Sequence, residues 1–239
     1  IPSADFCASF DRNSMDLLIA IIIVSTALPR QFSTQPANAM TQHRFDQAIA
    51  LIDAANREDP SREICEGKEW SKELLYAHRM SQMLERFAPD ADDAMQLAVR
   101  AQHIQRWKSP RSDYPMDRKG YHQWRAASKQ FHASTVADLL TKAGYDDAFI
   151  TRVAQTVGKK SLKTNPDTQL LEDIAGLVFL EHYLLDFANK HSEYDEQKWI
   201  DIIDKIQKKM SAQARRFVLD GHIALPDSMV ELIWKVIVE

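Results

Sequence analysis

Only 2 cysteines, Cys7 and Cys65, occur in 239 residues. They stand far apart with no CxxC pairing, which excludes a disulfide framework and a zinc ribbon and suits a reducing, cytoplasmic setting. Glycine is almost as scarce, at 6 residues. Gly-rich turns between short strands are therefore missing, and the periodic segments favour an all-α protein. No apolar run reaches the roughly 20 residues that a helix needs to cross a bilayer. Charge of one sign is lacking too: the net charge of −4 gives no global reason to expect nucleic acid or a membrane surface as partner. Internal repeats and low-complexity tracts are absent.

What is present is a 45% apolar chain, ample for one core. The stretch from 168 to 188, TQLLEDIAGLVFLEHYLLDFA, is apolar on nearly every side after residue 173. That is the profile of a buried central helix. It nevertheless carries Glu172, Asp173 and Glu181, and ionised carboxylates are costly to bury unless a cation, a metal or hydrogen-bond donors meet them.

Residues 1–39 stand apart. The apolar run 17–28 is too short to span a membrane, and it follows Asp11, Arg12 and Asp16 rather than a basic cluster. Ala37-Asn38-Ala39 has the form of a signal-peptidase site, whereas residues 30–34 (RQFST) suit the end of a mitochondrial presequence. A third reading starts the protein at Met40. All three exclude the segment from the fold and leave a single helical domain over 40–239, cytoplasmic, or mitochondrial if 1–39 holds a presequence.

From Met40 onward, Phe45, Ile49, Ile52 and Ala55 keep helical spacing until Asp59-Pro60 ends that helix. Residues 60–69 read as a polar loop. Further helices are expected over 70–87, 94–107, 121–143 and 147–157, then the central helix, one through Trp199 and Ile203, and a last one through Ile233 and Val236. Between the third and fourth helices, residues 111–119 are rich in charge, aromatic rings and proline, long enough for a lid or a binding edge.

Two constellations carry chemistry. His78, His103 and His132 lie on successive helices ahead of Asp173, and neutral imidazoles with a carboxylate are usual ligands of a divalent Zn, Mn, Fe or Ni ion. The competing reading makes each a core histidine bonded to a backbone carbonyl. Arg106, Arg111 and Arg125, beside Trp107 and Tyr114, suit recognition of a small phosphorylated molecule or nucleotide. Alternatively, the arginines neutralise Glu172, Asp173 and other buried acids.

Several motifs then carry a resemblance: AQHIQRW at 101–107, Pro110-Arg111, Tyr114-Pro115, Gly120-Tyr121 with Trp124-Arg125, His132-Ala133 and Leu171-Glu172-Asp173. Together they resemble the domain of unknown function 4202 family. The order of elements is also similar to the HD superfamily of metal-dependent phosphohydrolases. That similarity implies an HD-like bundle around the 168–188 helix, a metal on His78, His103 and Asp173, and His132 as an auxiliary ligand. The aspartate that the superfamily places after its second histidine is Ile104 here. Glu172, Lys159 or Lys160 would then have to activate water or hold phosphate. The expected functions are a divergent phosphohydrolase or a non-catalytic module binding a phosphorylated ligand or a protein partner. His103-Ile104 and Lys209-Met210-Ser211 faintly resemble class I synthetase signatures, as in glutamyl-tRNA synthetase, but the helical pattern leaves no room for the parallel sheet those signatures require.

Overall fold

In the computed structural model, which describes residues 35–162 and 164–238, the chain begins with α1 (Gln35–Arg57). This helix starts five residues before Met40, so the expected boundary at 40 falls inside it; the run 17–28 lies outside the described residues. Residues 60–69 are not a plain loop. They contain most of an antiparallel hairpin, β1 (Arg62–Cys65) and β2 (Lys68–Ser71), with Cys65 opposite Lys68. Glu66 and Gly67 make its two-residue turn with φ of 52° and 72°, the left-handed pair that matches the twist of a hairpin. This is the one small sheet among the described residues, and the fold is otherwise all-α.

The helices that follow are α2 (Lys72–Phe87), α3 (Asp93–Arg100), α4 (Arg118–Lys142), α5 (Asp147–Val157) and α6 (Pro166–Val178). After a π-helical turn, Phe179–Tyr183, come α7 (Leu184–Lys190), α8 (Glu196–Gln207), α9 (Ala212–Leu219) and α10 (Val230–Val238). Many starts are fixed by a short polar side chain that accepts a first-turn N–H: Asp92 from Met95, Asp117 from Gly120, Asp146 from Phe149, Asp195 from Lys198 and Ser211 from Ala214. Such caps satisfy donors that the helix itself cannot.

Two departures from the sequence pattern shape the site. The helix expected over 94–107 stops at Arg100. Gln105 turns left-handed at φ 50°, and its N–H is taken by the buried Asn56 side chain at 3.0 Å. The carbonyl of Ile104 accepts from His132 Nδ1 at 2.8 Å. Side chains from α1 and α4 have thus replaced the helical ladder, and His103 sits on a turn. The second departure is the π-helical turn, which breaks the continuous helix expected over 168–188.

Residues 36–239 make one compact unit. One apolar cluster joins Ile52, Leu97, Ala98, Ile104, Val136, Leu140 and Val153. The other joins Met80, Met83, Leu171, Ile174, Leu177, Trp199, Ile203 and Ile233. α3 serves both, sending Leu97 and Ala98 into the first and Met95 and Val99 into the second. Among the described residues no helix is long and apolar enough to cross a membrane.

Candidate functional site

A cavity of about 740 Å³ opens where α2, the turn after α3, α4, the end of α5 and α6 meet. Its size lies within the range of small-molecule sites. α2 supplies Glu73 and Tyr76, the turn supplies Gln102, His103 and Arg106, and α4 supplies Arg125. Lys159, Glu172 and Lys209 close the opposite side, and Phe179 and Tyr183 of the π-helical turn form an aromatic wall. A smaller cavity of about 50 Å³ adjoins it, sharing His103, Arg106, Arg125 and Lys159 and adding Trp124, Ser128, Lys129 and His132.

The loop before α4 holds Arg125 and its neighbours in place. Trp124 donates its indole N–H to the Ser109 carbonyl at 2.8 Å. Gly120 packs so closely on Pro115 that an added Cβ would lie 2.0 Å from the Pro115 carbonyl oxygen. Any side chain there would lift the loop away.

His103 stacks on Tyr76 with ring centres 4.4 Å apart, and the Tyr76 hydroxyl donates to Gln102 Oε1 at 2.5 Å. Arg106 Nη1 lies 3.0 Å and 3.1 Å from the two imidazole nitrogens of His103. Burial first, and then this guanidinium, hold the His103 pKa well below its ordinary value, so the ring is neutral. Glu73 Oε2 approaches His103 Nδ1 at 3.8 Å. Burial pushes the Glu73 carboxyl up to about 7, with Asp59 adding to the effect and Arg106 opposing it.

Opposite, Lys159 donates to Glu172 at 2.5 Å, and Lys209 lies 3.8 Å from the other carboxylate oxygen. Burial favours the neutral form of each partner. Burial prevails for Lys159, whose pKa is lowered, while for Glu172 burial is outweighed by Lys159, Lys209 and Arg125 together and the pKa is lowered. His132 Nδ1 must be the donor to the Ile104 carbonyl, which leaves Nε2 as an acceptor, and burial carries its pKa down to about 4.

The residues expected to bind phosphate and those expected to act as acid and base are thus brought together in part. Arg106, Arg125, Lys159, Glu172 and His103 line the main cavity, and His132 lines the adjoining one. Trp107, Arg111, Tyr114 and Lys160 line neither. Arg111 is spent within its own loop, donating to the Tyr114 carbonyl at 3.0 Å and the Asp117 carbonyl at 3.3 Å. Lys160 is exposed, and Trp107 packs 5.9 Å beneath the Lys108 ammonium.

The metal set does not assemble. His78 Nε2 is 2.8 Å from the Arg100 guanidinium, which also makes a two-pronged pair with Asp53 at 2.7 Å. Asp173 Oδ1 accepts the Ser211 N–H at 2.7 Å and the Gln169 amide at 3.0 Å, so it anchors the start of α9. Among the described residues no three His, Cys, Asp or Glu side chains are grouped to hold a metal ion. The donors implied by the HD similarity do not fit that role.

Glu73, Tyr76, Gln102, Lys129 and Lys209 line the cavities and were not among the residues expected to form the site. Glu73 and Tyr76 had a readable signal, since they occupy the first two turns of the face that continues as Met80 and Met83. Lys209 had none.

Comparison with curated proteins and with solved structures found no match. The family model described as Domain of unknown function (DUF4202) matches residues 46–233, which takes in both cavities, and the chain belongs to that family.

Proposed function

We propose that the cavity binds a small phosphorylated molecule, a nucleotide or a phosphoester of similar size. The observation that carries this reading is a set of cations that no carboxylate contacts directly, Glu73 and Glu172 acting on them only at longer range. Arg125 and Lys129 make no hydrogen bond or ion pair among the described residues, and Arg106 bonds only the neutral His103. Partly buried guanidinium and ammonium groups left in this way favour an anion, and phosphate oxygens match a guanidinium fork. Tyr76, Phe179 and Tyr183 give an aromatic surface for the remainder of the ligand.

The test is calorimetric titration with inorganic phosphate and adenosine monophosphate. Both should bind the wild-type protein. Arg125→Gln should weaken binding by about 10- to 100-fold, the range of a hydrogen bond to a charged group, and leave the melting temperature unchanged because the side chain has no partner to lose. Absence of binding, or an undiminished affinity in Arg125→Gln, would overturn the reading.

A second reading adds chemistry, and the Glu73 carboxyl near 7 favours it. Hydrolysis would form a bond from water oxygen to phosphorus and break the ester P–O bond. His103 would take the proton from water, and protonated Glu73 would give one to the leaving oxygen. The metal-ligand arrangement implied by the HD similarity has no part in that scheme. Turnover of a phosphomonoester such as p-nitrophenyl phosphate, lost in Glu73→Gln and in His103→Ala, separates this reading from simple binding.

A further inference from the structure

We infer that the smaller cavity beside α4 is a second anion subsite, so that the ligand carries two linked phosphoryl groups rather than one. The inference rests on the phosphate-binding reading and deepens it. The two cavities meet at Arg106 and Arg125, which line both. A single anion lodged at that junction would leave the far end of the smaller cavity empty. The rest of its lining includes Ser128, Lys129 and His132, together with Trp124 and Val157. A volume of about 50 Å³ holds roughly three or four waters, which one phosphoryl group can replace.

Charge points the same way. Lys159 takes the direct ion pair of Glu172, which acts on Arg125 and Lys129 only at longer range, so Arg106, Arg125 and Lys129 have no carboxylate in contact around the junction and the smaller cavity. A phosphate monoester carries about −1.5 to −2 at neutral pH, and a second linked phosphoryl group adds further negative charge. Three positive charges fit the linked pair. Burial first, and then the neighbouring Arg125, lower the Lys129 pKa, and the more distant Glu172 offsets them only in part. His132 completes the subsite without charge of its own. Its Nε2 is free to accept a P–OH proton or to take up a proton as the dianion arrives.

The test compares inorganic phosphate with inorganic pyrophosphate on the full chain by isothermal titration, in wild type, Lys129→Gln and Arg125→Gln. Wild type should bind pyrophosphate at least 10-fold more tightly than phosphate. Lys129→Gln should erase that preference while retaining phosphate binding, and its melting temperature should not fall, since the ammonium it removes is disfavoured by its surroundings. Arg125→Gln should weaken both ligands. Equal affinities in wild type, a preference that survives in Lys129→Gln, or an equal loss for both ligands in Lys129→Gln would each overturn the second subsite and leave the first standing. If neither anion binds wild type, both readings fall together.

Discussion

Glu73 is the buried acid whose titration the structure perturbs most usefully. Its side chain is only 10% exposed and faces the cavity beside His103. Its carboxyl is raised from an ordinary 4.5 to about 7. A group whose pKa rises on folding binds its proton more tightly in the native chain than in the unfolded one. The stability it contributes is fully present below about 4.5 and is lost as pH rises, with the loss complete above about 7. A shift of roughly 2.5 units at 1.36 kcal/mol each amounts to about 3 kcal/mol. Glu73→Gln keeps the shape of the protonated carboxyl and cannot ionise. It should therefore match wild type near pH 4 and exceed it by up to about 3 kcal/mol at pH 8. Urea unfolding of both proteins at pH 5, 6, 7 and 8 reads this directly as a midpoint difference that grows with pH at constant m. A difference that stays flat across that range would mean that Glu73 titrates alike in both states, and the case for it as an acid poised at neutral pH would go with it. The expected gain on removing the acid is also the mark of a residue kept for ligand chemistry at the expense of stability.

Asp173→Ala should cost about 1 to 3 kcal/mol, because the Ser211 N–H and the Gln169 amide lose their acceptor in a buried place. Elemental analysis and phosphate affinity should not change with it, whereas a drop in bound metal would restore Asp173 as a ligand. Lys159→Met should destabilise by roughly 3 kcal/mol or more, since Glu172 loses its direct ion pair and keeps only the more distant Lys209 and Arg125. Adding Glu172→Leu should recover much of that loss in thermal unfolding; if the two costs simply add, the pair is not the compensating unit described above.

The helices were legible where their causes are local. Residues 147–157 are predicted and found with the same bounds because Asp146 caps the first turn and the apolar spacing runs without interruption. The hairpin was hidden because its strands are mostly polar and only Glu66-Gly67 marks the turn. The premature end of α3 was beyond any local reading, since it is set by Asn56 and His132, side chains on other helices. That same event moves His103 from a helix onto the turn that lines the cavity.

The site was half legible for a related reason. Glu172 and Asp173 are neighbours in sequence but lie about 100° apart around the helix, so one meets Lys159 at the cavity while the other turns to Ser211. Apolar residues surround both, and the periodicity does not say which way either faces. Arg111 and Arg125 are likewise the same residue type within one basic region, yet Arg111 reaches the carbonyls of Tyr114 and Asp117 and Arg125 reaches none. With 34 acids against 30 lysines and arginines, composition supplies a carboxylate for every cation. That Arg125 and Lys129 still stand unpaired beside a cavity is therefore a property of packing, and it is why the anion site emerges from the structure rather than from the charge count.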